Sequence, residues 1–285
     1  MSELPISIYK AAARYKPIET DGLTLYPVLV REYELHLLAR PALEVMHQSL
    51  PVALMRVPLL SALYQIDYET VLKGEPSSGL FSRSLLALSL SLRLGEGEEM
   101  EERLKRFKIM VDPKNPAQLQ RIRFSDADGE EKEISPTQYS KLRQIIAAQN
   151  GVRLESDMAN PDLVQAEKDI ASASDLNLDA NIEDWISAVS VLTGASEEEI
   201  DEWPILKFQR RSDSLQRILS YIVCGVGECS GASWKGGNPV PHPFFAKLKD
   251  GRGVLSALGV TSDGKTKEPP KAGLAIQEIT KNLSP

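Results

Sequence analysis

Apolar positions along this chain recur mostly at helical spacing. Thr24-Leu25-Tyr26-Pro27 reads as a short extended segment closed by proline. Val30, Tyr33 and Leu37 then share one helical face, which predicts a helix through Arg31 to Arg40 that Pro41 ends or kinks. Pro51 suits the first turn of a further helix, and the run from Val52 to Ile66 is apolar around most of its circumference. Such a helix is either the centre of a bundle or is covered by a partner. Leu86 to Leu94 alternates like a strand, but no Val, Ile or Thr occurs from Leu80 to Leu94, so helix is the expectation. Gly95-Glu96-Gly97 closes this helical region and opens an acidic run to Glu102.

The middle of the chain changes period. Arg106 to Val111 alternates and stops at Asp112-Pro113, so it reads as a strand; Leu119 to Phe124 and Glu130 to Ile134 flank a loop containing Asp128-Gly129, a hairpin signal. The second arm is nearly all charged, so it forms an exposed edge or lies against something basic. Ser135-Pro136-Thr137-Gln138 spells a capping box with proline in the first turn; Tyr139, Leu142, Ile145 and Ile146 make the apolar face, and Asn150-Gly151 stops the helix. Residues 152–180 read as a polar linker with one short exposed helix. Asn181-Ile182-Glu183-Asp184 and Ser196-Glu197-Glu198-Glu199 are helix starts, with Gly194 between them. Leu215, Ile218, Leu219 and Ile222 stripe a helix from about Pro204 to Gly225, after which Gly and Pro make the remainder irregular.

The fold class expected is mainly α: helical bundle units with a small antiparallel β-hairpin element in the middle. Residues 1–95 form an N-terminal helical domain, 96–151 a small α+β segment, 152–226 a C-terminal helical segment, and 227–285 a Gly/Pro-rich, largely irregular tail.

Charge narrows the partners. The 285 residues carry a net −7, unevenly: residues 1–95 are neutral, 96–203 carry −13 and 204–285 carry +6. An acidic middle repels phosphate backbones and the basic end is dilute, so nucleic acid is not expected as a partner. Pro51 to Ile66, the longest apolar stretch, is interrupted by Arg56, Pro58 and Gln65 and falls short of the ~18 residues a membrane helix needs. Met1 to Lys16 has no apolar signal core, and two cysteines, Cys224 and Cys229, build no disulfide framework. The expectation is a soluble chain in a reducing cytosol.

The chemical motifs lack their contexts. Gly259 to Thr266 matches the phosphate-loop spacing, but Pro269-Pro270 follows where a helix is required. Gly225-Val226-Gly227 ends a helix instead of leaving a strand. Cys224, Cys229 and His242 are too few for a zinc site, and His36 and His47 lie far away in sequence. Ser230 has no nucleophile-elbow surround. The acidic pairs fall in solvated charge runs. No catalytic, metal or cofactor residue is expected.

Several segments together resemble the tail assembly chaperones of phages and prophages of Gram-positive bacteria. They are Leu25 to Tyr33; Leu50-Pro51 with Leu59 to Tyr64; Ile134 to Ile146 closing in Gln149-Asn150-Gly151; Asn160 to Leu163; and Ile205 to Tyr221 with Ser230-Gly231 and Pro239 to His242. They span about residues 22–245. The resemblance implies a non-enzymatic factor in the host cytoplasm that coats the tape-measure protein until tail-tube subunits polymerise around it, and is then released. A structural tail or baseplate protein retained in the virion is the alternative, and self-association is compatible with both. The expected partner surface is Leu59, Leu60, Leu63 and Tyr64, helped by Leu86 and Leu90, because one small bundle can hardly enclose so many apolar side chains. The competing reading makes the same residues core.

Overall fold

The computed structural model describes residues 4–126, 129–155 and 181–230. The chain divides into two compact units. Met1–Asp157 and Ala180–Gln216 make the first; Met158–Asp179 and Arg217–Pro285 make the second, of which residues 217–230 are described. The protein is mainly α, with nine α-helices, one two-stranded hairpin and one three-stranded antiparallel sheet among the described residues.

Helix α1 (Ile6–Ala13) leads into the hairpin β1 (Ile18–Thr20) and β2 (Leu23–Leu25). Asp21 and Gly22 both have positive φ, 52° and 75°, the conformation of a tight two-residue hairpin turn. Helix α2 (Tyr33–Glu44) follows a 3-10 turn at Val30–Glu32 and runs on through Pro41. Proline removes only its own N–H from the ladder, and the carbonyl this releases belongs to Leu37, on the solvent side of the helix. Of the two expected effects of Pro41, ending or kinking the helix, the first does not occur, and α2 runs to Glu44.

The apolar run from Val52 does not form one helix. Val52–Leu54 is a 3-10 turn, and α3 (Leu59–Leu72) begins only after Pro58. The residue before a proline disfavours the α region, which delays the start. Helix α4 (Leu80–Ser91) contains most of the alternating Leu-Ser stretch and buries every residue from Ser84 to Ser91. Ser84 donates to the Leu80 carbonyl at 2.9 Å and Ser89 to that of Leu94 at 2.9 Å, so small polar groups sit inside without exposing a polar face. Helices α2, α3, α5 (Met100–Lys105) and α6 (Pro136–Gln149) all pack on α4.

Strands β3 (Lys108–Asp112), β4 (Asn115–Ser125) and β5 (Glu131–Ile134) are antiparallel in that order, with Ile109 and Ile134 both opposite Ile122. All three segments that alternate in the sequence are strands, and the first of them joins the expected hairpin as a third strand. Of the Asp128-Gly129 signal, Gly129 has φ 80°, whereas Asp128 lies outside the described residues. The charged arm lies against basic neighbours: Glu133 pairs with Arg121 at 2.6 Å and with Arg123 at 2.5 Å.

Helix α6 is the strut of the first unit. Its capping box is complete, with the Gln138 amide donating to Ser135 Oγ at 3.3 Å and the Ser135 amide to Gln138 Oε1 at 2.8 Å. Tyr139, Leu142, Ile145 and Ile146 are buried. Arg143 donates to the Leu43 carbonyl at 2.7 Å, Gln149 to the carbonyls of Lys16 and Leu25, and the Val28 amide to Asn150 Oδ1 at 2.9 Å. Buried polar groups are thereby used to fasten distant backbone.

Helices α7 (Ile182–Thr193) and α8 (Glu197–Asp201) both have side-chain N-caps, Asn181 and Ser196, and α7 ends at Gly194 with φ 75°. They share a second, smaller core with Val30, Trp203 and Phe208. Helix α9 (Ile205–Cys229) continues four residues past the expected end at Gly225. The polar linker with its short exposed helix at 152–180 lies outside the described residues from 156 onward, as does the irregular tail from 231.

Candidate functional site

Leu59, Leu60, Leu63, Leu86 and Leu90 are each at most 1% exposed and belong to the main core. Tyr64 is partly buried: its hydroxyl donates to the Pro116 carbonyl at 3.1 Å, and its ring meets Phe81 edge-on. The expected partner surface is therefore corrected: these side chains are enclosed by α2, α4, α6 and β4. A small bundle alone would not cover them, but the sheet supplies the missing wall, since β4 packs on α3.

The residues weighed for chemistry are dispersed. His36 is buried on α2, and burial, then Arg40, push its pKa down to about 4 against an opposing pull from Glu44, so it is neutral near pH 7. His47 Nε2 bonds the Val57 carbonyl at 2.8 Å and holds a loop. Cys224 is half-buried and Cys229 exposed, both on α9. His242 and the Gly259–Thr266 loop lie outside the described residues. Among the described residues no three His, Cys, Asp or Glu side chains come together as a metal site, and no helix is long and apolar enough to cross a membrane.

Buried charge serves the fold. Arg103, fully buried, pairs with the Glu32 carboxylate and donates to the carbonyls of Leu94 at 3.1 Å and Glu98 at 2.8 Å. Every donor of that guanidinium group engaged in this way points at protein, not at a cavity.

What the described surface does offer is apolar helix faces. On α7, Ile186 and Val189 point inward while Trp185, Val191 and Leu192 are exposed, Val191 at 81%. On α9, Leu219, Ile222, Val223 and Val226 are exposed along one side. Within the first unit, α2 and α7 border a cleft of about 300 Å³ lined by Tyr33, Glu34, Leu37, Asn181, Ile182 and Trp185. Leu37 is 44% and Trp185 45% exposed. A larger hollow of about 390 Å³ over the β1–β2 turn is open and polar, and its Asp21 is already paired with Lys141 at 3.0 Å.

No family model matches the chain, and neither a curated protein nor a solved structure matches it.

Three of the landmark segments meet at backbone joints, whereas Asn160 to Leu163, Gly231 and Pro239 to His242 lie outside the described residues. The Ile205 amide donates to the Val28 carbonyl at 2.9 Å, the Val30 amide to that of Trp203 at 2.9 Å, and the Val28 amide to Asn150. The α2–α7 cleft was missed in the sequence reading. The face expected through Val30, Tyr33 and Leu37 is not the one α2 buries: Leu37 is 44% exposed, and His36, Ala39 and Leu43 face the core instead.

Proposed function

We propose that the protein is a phage tail assembly chaperone that binds the tape-measure protein during tail morphogenesis in the host bacterial cytoplasm. The carrying observation is the set of apolar side chains left on the surface of α7 in the first unit, Trp185, Val191 and Leu192, in a chain with segments that resemble that family. Large exposed apolar faces rimmed by polar residues mark protein-binding surfaces. Helices recognise helices by laying such faces together. On this reading α2, α3, α4 and α6 act as a helical bundle unit that presents α7. The chain works by binding, without catalysis, cofactor or metal, and neither nucleic acid nor membrane is its partner.

The test is co-expression with the tape-measure protein of the same phage, followed by affinity capture and by mass spectrometry of finished particles. Co-purification of the tape-measure protein, with this chain missing from particles, is the expected result. Its presence in particles at fixed stoichiometry would make it a structural tail or baseplate protein instead. Failure to capture the tape-measure protein sinks the chaperone reading.

A further inference from the structure

The geometry points to the α2–α7 cleft as a docking site for one amphipathic helix with a basic polar face, an assignment that rests on the helix-binding reading above. Tyr33 and Leu37 stand at i and i+4 on α2, and Ile182 and Trp185 at i and i+3 on α7, so two helical ridges flank one trough. A ridge of a third helix is the shape that packs between two such rows. At about 300 Å³ the trough sits at the lower edge of the ~300–1,000 Å³ typical of small-molecule sites, and it suits inserted side chains better than a whole ligand.

The rim decides the charge of the occupant. Glu34 lines the cleft on α2, and Glu183 stands in the first turn of α7, next in sequence to the lining residue Ile182; both are exposed, and neither is ion-paired among the described residues. The arginines on the same stretch are engaged elsewhere: Arg31 with Glu96 and Glu202, Arg40 with Glu44. The N-terminus of α7 contributes a partial positive charge, but Glu183 and Asp184 in its first turn outweigh it. A partner with Lys or Arg beside its apolar ridge is attracted here, and one with Asp or Glu is repelled. Trp185 supplies the aromatic anchor that concentrates binding energy in such contacts.

Two fluorescein-labelled synthetic helices with identical leucine ridges, one with a lysine polar face and one with a glutamate face, test this by anisotropy against the full chain. The Leu/Lys helix is expected to bind at least ten-fold tighter than the Leu/Glu helix, and less tightly as salt rises. Trp185→Ala and Leu37→Ser should each weaken it about ten-fold, with thermal unfolding unchanged because both side chains are half exposed. Glu34→Lys combined with Glu183→Lys should reverse the preference between the two helices. The assignment is overturned if the Leu/Lys helix does not bind, if both helices bind equally, or if cleft variants bind as the parent does. Capture of the tape-measure protein is measured on the same variants. Leu/Lys binding at the cleft without tape-measure capture would retire the chaperone reading and keep the site; capture that ignores the cleft variants would retire the site alone.

Discussion

Helices α4 and α7 are both twelve residues long with seven apolar side chains each, yet one is enclosed and the other half bare. Helix α4 has neighbours on every side, from α2, α3, α5 and α6, and its Ser84 and Ser89 bond backbone carbonyls. Helix α7 packs chiefly on α8 and the small second core, which covers Ile186 and Val189 but leaves Trp185, Val191 and Leu192 outside. Apolar content is the same in the two helices; the number of packed neighbours differs. Helix α2 belongs to both regions, burying His36, Ala39 and Leu43 while turning Leu37 and Leu38 to solvent.

The largest effect that would separate the regions is at Arg103, beside the end of α4. Arg103→Ala leaves Glu32 buried without its partner and should cost about 3–5 kcal/mol in urea unfolding, because an uncompensated buried charge is worse than either the pair or a neutral site. A cost below about 1 kcal/mol would mean that this joint is open in solution. Leu86→Ala, at the centre of α4, should cost about 2–5 kcal/mol by leaving a cavity that its neighbours cannot fill. Little loss there would revive the reading of that leucine as surface.

His36 sharpens the comparison through pH. Its pKa is held at about 4 in the fold against an ordinary 6.5, mainly by burial, so the unfolded chain binds a proton that the folded chain refuses. Stability is therefore fully present above pH 6.5 and falls as pH drops toward 4, by roughly 3 kcal/mol across the window. His36→Gln should flatten that part of the stability–pH profile; an unchanged slope would show that the ring is solvated. Smallest of all, Val191→Ser on the bare face of α7 should move stability by no more than about 0.5 kcal/mol. A loss comparable to that of Leu86→Ala would show that α7 is covered in solution, and self-association would then be the first thing to measure by sedimentation.

Local chemistry was legible where a residue acts on its immediate neighbours. The capping boxes at Ser135–Gln138 and Asn181–Asp184, the Gly194 stop and the antiparallel pairing around residues 119–134 all follow from bonds made within a few residues. The β1–β2 hairpin carried the same Asp-Gly signal, at Asp21-Gly22, and was overlooked because its strands are only three residues each. Proline effects were legible in kind but not in place. Pro41 proved tolerable because the carbonyl it frees lies at solvent, and Pro58 decisive because it restricts the residue before it.

By itself the sequence determined the helical character, the caps and turns, and the stock of apolar side chains that gain by leaving water. Those are short-range matters of backbone sterics and transfer free energy. Only the tertiary structure decided which apolar side chains actually do so. Leu59, Leu60 and Leu63 are covered because β4 lies over α3, and Arg143 and Asn150 are buried because they fasten backbone roughly a hundred residues away. The cleft between Leu37 and Trp185 exists because the chain brings α7 back beside α2 through contacts of Val28 and Val30 with residues near 203 and 205. Coverage depends on what arrives from elsewhere in the chain, and no periodicity read along one helix contains that information.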